Sequence, residues 1–283
     1  MDSARIAALL EPFLDRPFAL AQLEQISTYI DLLLRWNARI NLTAIRNPEE
    51  IVTRHFGESF FMASRLFPRL SALCHAERSD IFAQSAKMAE ESKSLPRASR
   101  GDPYFTDKLA ATQQIRGSSQ VGARSSQLTR VLDLGSGAGF PALPLKIWAP
   151  HIHLTLIESN HRKAAFLREV ARALTLTNVD VFAERAETLS ARPEFPKADV
   201  VTFRAVENFD RTLALAVTFL GPNARLALLI TTAQLPKLQP TKPKPSRSSK
   251  LKPGPTVKPI PILTWQTIAV PQSKTRMLSI GEQ

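Results

Sequence analysis

The sequence predicts an α/β fold in which a mostly parallel, seven-stranded sheet follows an N-terminal helical region. From residue 130 onward, short apolar runs typical of buried strands alternate with segments of helical periodicity. That alternation is typical of a parallel sheet covered by helices on both faces. Before it, residues 3–36 repeat apolar side chains every three or four positions, which favours amphipathic helix. The 283 residues, 44% of them apolar, suffice for one large domain or two small ones.

The helical region should contain two helical segments separated by a break. The first spans 3–36, and residues 37–46 should interrupt it. Asn47 then marks a second start, because an asparagine side chain caps free backbone N–H groups and Pro48 suits the first helical turn. We expect residues 1–71 to form an N-terminal helical subdomain.

Two segments depart from the composition of the rest of the chain. Residues 72–127 are rich in polar residues without a sustained apolar period, which predicts a mostly disordered insertion. Residues 236–260 are rich in proline and hold seven basic and no acidic side chains, which predicts an extended loop within a second domain at 128–283. Since this loop carries +7 of the net +12, the charge is only a weak indication of nucleic-acid binding by the rest.

The elements of the second domain follow one another along the chain. Strands are predicted at 131–134, 152–157, 179–182, 199–203 and 225–230, with helices at 143–148, 162–174 and 209–219. Two final strands, at 265–270 and 276–280, should form a hairpin that closes the sheet.

Several classes of protein can be set aside. Cys74 is the single cysteine, which excludes an internal disulfide framework and a cysteine-rich zinc site. The chain lacks an apolar run of membrane-spanning length, and its start lacks the basic and apolar regions of a signal peptide. We therefore expect a cytoplasmic protein without membrane or metal partners, and we take it to be monomeric.

The most informative motif follows the first predicted strand. It reads Asp133-Leu-Gly135-Ser-Gly137-Ala-Gly139 and leads into a helix. Glycines there let a ligand approach the backbone N–H groups and the start of the helix closely. Glu158 ends the next strand, 25 residues after Asp133, where a carboxylate can accept both ribose hydroxyls of an adenosine.

The motif can be interpreted as one of three kinds of ligand site, or as a tight turn that binds no ligand. A dinucleotide site requires Gly-x-Gly-x-x-Gly, but the third glycine position is Phe140. A P-loop requires Gly-Lys followed by Ser or Thr, which is absent. A site for S-adenosyl-L-methionine has an acidic residue just before Gly-x-Gly-x-Gly, and this pattern fits.

Further motifs carry a resemblance to one family. In chain order they are Trp36-Asn37, Asn41-Leu-Thr-Ala-Ile-Arg-Asn-Pro-Glu-Glu, Arg54-His-Phe-Gly-Glu-Ser, Asp133-Leu-Gly-Ser-Gly-Ala-Gly-Phe-Pro and Phe203-Arg-Ala. Together they resemble the bacterial 16S rRNA guanine-N7 methyltransferases, named ribosomal RNA small subunit methyltransferase G or glucose-inhibited division protein B. The resemblance covers about 1–70 and 128–235, and a weaker similarity extends over 262–281.

This resemblance implies a class I S-adenosylmethionine-dependent methyltransferase fold, which is Rossmann-like. It also implies methyl transfer to N7 of a guanine in small-subunit rRNA, either free or in a ribosomal particle. Guanine N7 has an exposed lone pair, so the reaction requires no general base. No residue is therefore assigned a certain catalytic role, and Arg204 and Glu58 are the candidates.

The resemblance also implies which residues bind the methyl donor. They are Asp133, Gly135, Gly137, Phe140, Glu158, Ala186, Glu187 and Arg204. Two members of this set and one residue outside it have structural alternatives. Glu187 could cap the following segment, Arg204 could be an ion-pair partner, and His55 could be a helix-packing histidine.

The sequence departs from the family pattern at three positions. Glu58 stands where the family has aspartate, Phe203 where it has serine, and Ile230 in the region where it has a lysine. The missing lysine suggests one alternative, a non-catalytic RNA- or ribosome-binding protein on a methyltransferase scaffold. A second alternative is a methyltransferase that acts on a small molecule or a protein.

Overall fold

Seven strands form one sheet in the spatial order β3-β2-β1-β4-β5-β7-β6. The five strands from β3 to β5 are parallel, whereas β7 is antiparallel to both β5 and β6. This confirms the mostly parallel sheet and the terminal hairpin. The strands are β1 (Arg130–Leu134), β2 (His153–Ile157), β3 (Val179–Phe182), β4 (Ala198–Phe203), β5 (Leu220–Thr231), β6 (Thr264–Ala269) and β7 (Arg276–Glu282).

The structure, a computed structural model, describes residues 1–68, 128–238 and 263–282. The predicted insertion at 72–127 lies outside these ranges, and so does most of the predicted loop at 236–260. The expected disorder and the domain boundaries therefore stay predictions. Residues 236–238 are described and end a 3₁₀ helix (Thr232–Leu238), so the extended loop was wrong for these three.

Eight α-helices lie within the described ranges. They are α1 (Ser3–Leu10), α2 (Leu20–Ile40), α3 (Pro48–Ile51), α4 (Glu58–Leu66), α5 (Ala142–Trp148), α6 (His161–Ala173), α7 (Ala186–Ser190) and α8 (Phe209–Thr218). The sequence predicted α5, α6 and α8 to within two residues. It missed α7, a helix of five residues that is too short to show an apolar period.

The predicted single helix over 3–36 was wrong in its continuity. It is interrupted between α1 and α2, where Pro12 lies in a 3₁₀ turn (Glu11–Phe13) and Pro17 follows. Proline disfavours helix interiors because it has no N–H to donate. The helix α2 then continues past residue 36 to Ile40 and ends where Asn41 adopts a φ of 48°.

The second predicted start is confirmed. The Oδ1 atom of Asn47 accepts hydrogen bonds from the backbone N–H groups of Glu49 (2.9 Å) and Glu50 (3.2 Å). Between α3 and α4 the chain forms a π-helix (Val52–Gly57), a type of turn often found at functional sites. At Gly57 a Cβ atom would approach the ring of Phe13 to 2.7 Å, so any larger residue would force that ring to move.

Alternate residues of each central strand enter different cores. Val131 of β1 belongs to a core that the N-terminal helices, α5 and α6 cover. Leu132 and Leu134 belong to a second core on the other face, which includes residues of α8. The helical region thus packs directly on one face of the sheet. Side chains of the helical region therefore lie beside the carboxyl ends of the strands.

Candidate functional site

The glycine turn (Gly135, Gly137 and Gly139) follows β1 directly at the carboxyl edge of the sheet. Their φ angles are 66°, 53° and 86°, a region that side chains with a Cβ rarely adopt. The N–H groups of Gly135 and Ser136 donate to the carbonyl of Ile157, at 2.8 and 3.1 Å. The turn therefore lies beside the end of β2, as the motif predicts.

Glu158 connects the end of β2 to the glycine turn. Its Oε2 atom accepts a hydrogen bond from the N–H of Gly137 at 2.9 Å, and its Oε1 atom accepts one from the N–H of Asn160 at 2.8 Å. Each carboxylate oxygen can accept more than one hydrogen bond, so capacity remains for a ligand. The structure thus brings together two of the predicted site residues.

Asp133 lies buried at the end of β1, in register with Leu156 of β2 and Thr202 of β4. Neither of its carboxylate oxygens has a hydrogen-bond partner among the described residues. Burial raises the pKa of Asp133 well above its usual range; the nearby hydroxyl of Ser136 opposes this effect and the charge of Glu158 adds to it. Buried polar atoms are nearly always hydrogen-bonded, so a carboxyl group without a hydrogen bond is unusual beside the glycine turn.

The helical region holds the glycine turn through aromatic side chains. The ring of Phe140 lies between those of Tyr29, at 5.2 Å and 3°, and His55, at 4.7 Å and 18°. The hydroxyl of Tyr29 donates to the carbonyl of Ala138 at 2.5 Å. The side chain of Phe140, predicted to line the donor site, therefore packs against the helical region, while its backbone belongs to the turn.

His55 lies in the π-helix and is largely buried. Its Nε2 atom is 2.8 Å from the hydroxyl of Thr43, while its Nδ1 atom has no partner within the described part of the chain. Burial, reinforced by the charges of Arg204, Arg54 and Arg276, lowers the pKa of His55 to about 3. The imidazole is therefore neutral at physiological pH and packs on Phe140, which matches the alternative of a packing histidine.

The two candidate catalytic residues contact each other. The Nη2 atom of Arg204 donates to Glu58 Oε2 at 2.7 Å and to the carbonyl of Arg54 at 2.8 Å. Both side chains are buried, with exposures of 6% and 4%. Burial lowers the pKa of Arg204 to about 10, so it remains cationic. The Nη1 atom of Arg204 is buried and has no partner in the described ranges. The ion-pair alternative for Arg204 thus describes a real contact, which leaves Nη1, at one end of the guanidinium, buried without a hydrogen bond.

Ala186 and Glu187 begin α7, which follows the carboxyl end of β3. Because β3 is parallel to β2, they lie at the same edge of the sheet as Glu158. Glu187 forms an exposed ion pair with Arg211, at 2.8 Å. It lies in the first turn of α7 after the N-cap residue Arg185, so it is not the cap itself.

Two residues near this edge were not predicted from the sequence. Tyr29 contributes to the apolar period of α2, and that pattern gave no indication of its bond to the turn. Arg276 lies 3.9 Å from Glu58 Oε1 through its Nε atom. No local motif surrounds Arg276, and only the pairing of the last hairpin brings it to this edge.

Neither a metal centre nor a membrane span is found in the described residues. No group of three or more His, Cys, Asp or Glu side chains there could hold a metal ion. None of the helices in the same ranges combines the length and apolar character needed to cross a membrane.

Comparison with known proteins identifies one family. A family model described as rRNA small subunit methyltransferase G matches residues 22–69 and 108–250, about two thirds of the chain. This match extends further into the two unusual segments than the motifs indicated. Proteins named ribosomal RNA small subunit methyltransferase G are similar in sequence. Those of Bacillus pumilus and Bacillus subtilis are 30% and 27% identical over 186 and 209 residues, or 65% and 74% of this chain.

The chain spans 54% and 64% of the lengths of these two relatives, less than two thirds of each. The protein of the same name from Streptococcus pyogenes is 30% identical over 228 residues, which is 80% of this chain and 73% of that one. Among solved structures, a precorrin-6y C5,15-methyltransferase from Geobacter metallireducens has a TM-score of 0.40 and 10% identity. That similarity covers 68% of this chain and 95% of the other.

Proposed function

This chain belongs to the rRNA small subunit methyltransferase G family, and we propose that it transfers a methyl group from S-adenosylmethionine to N7 of a guanine in small-subunit rRNA. The observation that carries the proposal is the contact between Glu158 and the glycine turn. It joins a carboxylate suited to a ribose with a turn suited to close approach of a ligand.

The residues at this edge fit the methyl donor on three counts. A Cβ atom at Gly137 would meet only the carbonyl oxygen of Gly135 nearby, at 3.7 Å, so space beside the turn is open. The oxygens of Asp133 lack partners within the described ranges. Glu158 has free acceptor capacity. These are features of a site built for a ligand with hydroxyl and amine donors.

We assign the donor to the carboxyl ends of β1, β2 and β3. The backbone of Gly135, Gly137 and Phe140 would line it, and Glu158 would accept the ribose hydroxyls. The remaining donor contacts in this assignment come from the carboxyl group of Asp133, from Ala186 and Glu187 at the start of α7, and from Arg204 after β4. When bound, the donor supplies a methyl group on a positively charged sulfur, which departs as a neutral thioether.

The chain's own contribution is alignment rather than proton transfer. Guanine N7 attacks with a lone pair that carries no proton, so no general base is required. Holding the reactants in line and excluding water can lower a barrier by about 7–11 kcal/mol in favourable cases. The buried and neutral His55 fits a role in packing the turn rather than one in acid–base chemistry.

We assign Arg204, which follows β4 at this edge, a contact with the donor or the incoming base; its Nη1 atom is buried and has no partner in the described part of the chain. Glu58 acts through Arg204 as a positioning residue. Methylation at N7 gives the guanine a positive charge. The carboxylate of Glu58 balances Arg204, which limits the repulsion that the product would meet.

The proposed partner is small-subunit rRNA, free or within a ribosomal particle. The target base must leave its stack to reach the site, which favours a loop or single-stranded segment. Such a substrate implies action in the cytoplasm. We further propose that the protein works as a monomer, which size-exclusion chromatography with light scattering would test.

The deciding experiment incubates the full chain with labelled S-adenosylmethionine and small-subunit rRNA from cells that lack this gene. We expect label in the RNA, and mapping of the modified nucleotide should give 7-methylguanosine. Glu158→Ala should abolish incorporation, because the ribose would lose its acceptor. The matched control is Glu184→Ala, a partly exposed carboxylate in the loop between β3 and α7 that pairs with Arg192.

Other outcomes would favour the alternatives. Binding of the RNA without incorporation of label would indicate a non-catalytic RNA- or ribosome-binding protein. Label in a small molecule or a protein, with none in the RNA, would indicate another substrate. Methylation at a position other than guanine N7 would contradict the proposed acceptor atom but would support S-adenosylmethionine as the methyl donor.

A further inference from the structure

A basic cavity of about 250 Å³ lies beside the Arg204–Glu58 pair. Residues of the π-helix and α4, among them Arg54 and Glu58, line one side. The turn between β6 and β7, including Lys274, lines the other side together with Arg276, the first residue of β7. The helical region and the last hairpin of the sheet thus form its walls together.

The charges that line this cavity do not cancel. Arg54, Lys274 and Arg276 are cationic, and Glu58 is the one carboxylate among the lining residues. Glu58 is engaged by Arg204, at 2.7 Å, which adds a further positive charge next to the cavity. An excess of positive charge therefore remains at the lining.

Two of these cations are available to a ligand. Lys274 is exposed and forms no ion pair with any described residue. Arg54 pairs with Glu50 at 2.8 Å, but that pair is half exposed and therefore weak. An ammonium group and a guanidinium group that face one small cavity suit a phosphate, which accepts charge-assisted hydrogen bonds from both.

The basic cavity lies at the same edge of the sheet as the glycine turn. Arg276 pairs in register with Thr231, the last residue of β5. Because β5 is parallel to β4 and β4 to β1, this places Arg276 at the carboxyl edge. A nucleic acid that presents a base to the glycine turn would therefore run its backbone near the cavity.

We propose that the basic cavity binds a backbone phosphate of the RNA substrate while the target guanine occupies the site beside the glycine turn. This assignment rests on the proposed function and adds a contact that positions the RNA. It also explains how a chain with Ile230 in the region of the family's lysine could engage RNA, since the hairpin supplies Lys274 and Arg276 at the same edge.

The test compares two double variants that each remove two positive charges. Arg54→Gln/Lys274→Gln removes the two exposed cationic groups from the lining of the cavity. The control, Arg172→Gln/Lys197→Gln, removes two exposed cations from the opposite edge. Arg172 lies in the last turn of α6, and Lys197 immediately precedes β4. All four side chains are exposed, so both proteins should fold.

Binding of unmodified small-subunit rRNA is measured over a series of chloride concentrations in buffer without phosphate. If the cavity holds one phosphate, the slope of log K against log[salt] should fall by about 0.7–0.9 in the cavity variant. The control should keep the wild-type slope. In methyl-transfer assays at low salt, the cavity variant should show a KM for rRNA raised about tenfold, with kcat retained.

Each contrary result has a distinct meaning. Equal slopes and equal KM values for the two double variants would overturn the cavity assignment alone. A difference that arises only when inorganic phosphate is added would show a site for free anion, which also overturns it. Failure of the wild-type protein to methylate rRNA would overturn the proposed function, and the cavity assignment with it.

Discussion

The guanidinium of Arg204 and the carboxylate of Glu58 form a buried ion pair between residues that lie 146 positions apart. The pair joins the end of β4 to the start of α4, so it ties the sheet to the helical region. A second bond, from Arg204 to the carbonyl of Arg54, connects the same guanidinium to the π-helix. The conformation of the site therefore depends on contacts between two parts of the chain that are distant in sequence.

Replacing Arg204 with methionine should destabilise the protein strongly. The carboxylate of Glu58 would stay buried with only Arg276 near it, at 3.9 Å. Removing one partner of a buried pair costs about 3–5 kcal/mol, which urea unfolding would measure. Adding Glu58→Gln to this variant should restore part of the loss. A double variant no more stable than the single one would contradict a coupling between the two residues.

The single variant Glu58→Gln separates positioning from folding. Its amide oxygen can still accept a hydrogen bond from Arg204, but the buried guanidinium loses its counter-charge, so we expect a folded but less stable protein with reduced methyl transfer. In the proposed role Glu58 acts through Arg204, so the fall should appear in kcat more than in the KM for the RNA. Unchanged kinetics in a stable variant would remove Glu58 from the mechanism.

His55 should make the stability depend on pH. Its pKa is about 3 in the folded protein, against 6.5 for an ordinary histidine. Between these values the unfolded chain binds more protons, so the free energy of unfolding falls as pH decreases from 6.5. The contribution of His55 to this slope approaches about 1.4 kcal/mol per pH unit, and the raised pKa of Asp133 contributes a slope of the opposite sign. Urea unfolding from pH 7 to pH 4 would measure the net slope, which should be lower in His55→Gln by the contribution of His55.

The sequence predicted the sheet well because strands carry local signals. Val179–Phe182 is a strand with the predicted bounds, and five other strands differ by at most two residues at either end, but β5 begins at Leu220, five residues before its predicted start. The end of α2 was misplaced because Asn37 was interpreted as a helix breaker. In the structure its Oδ1 atom accepts hydrogen bonds from the N–H groups of Leu42 and Thr43, at 2.6 and 2.9 Å. Asn37 thus stabilises the chain that leaves the helix rather than interrupting it.

The site was predictable where a motif encodes it and not where packing creates it. The spacing between the glycine turn and Glu158 predicted their proximity, because parallel neighbouring strands end at one edge. The pairing of Arg204 with Glu58 depends on how the helical region packs on the sheet. No local pattern specifies that packing. The contacts of Tyr29 and Arg276 at this edge have the same origin.

Removing the hydroxyl of Tyr29 should weaken donor binding. Tyr29→Phe keeps the ring that stacks on Phe140 but leaves the carbonyl of Ala138 without its hydrogen bond. A loss of about 1–3 kcal/mol in stability is expected for an unpaired buried acceptor. Calorimetric titration with S-adenosylhomocysteine should show a weaker Kd, because the turn would be less well ordered. Thr28→Ala, on an exposed position of the same helix, should change neither value.

Alanine at two positions of the glycine turn should separate folding from donor binding. At Gly139, where φ is 86°, a Cβ atom would meet the hydroxyl of Tyr29 and lie 2.5 Å from a methyl of Leu143. We expect Gly139→Ala to lose about 3 kcal/mol or more, from backbone strain and overpacking together. At Gly137 the added methyl would meet only the carbonyl of Gly135, at 3.7 Å, so Gly137→Ala should lose about 1–2 kcal/mol from its positive φ alone.

Gly137→Ala should nevertheless bind S-adenosylhomocysteine at least about tenfold more weakly, because the methyl would occupy space beside the turn and hinder close approach to its backbone. Thermal unfolding and calorimetric titration on the same samples would separate the two effects. Gly221→Ala in β5 is the control. An added Cβ atom there would lie 3.4 Å from the nearest atom, and residue 221 is far in sequence from the turn. If Gly137→Ala binds S-adenosylhomocysteine with wild-type affinity, the donor does not lie against this turn.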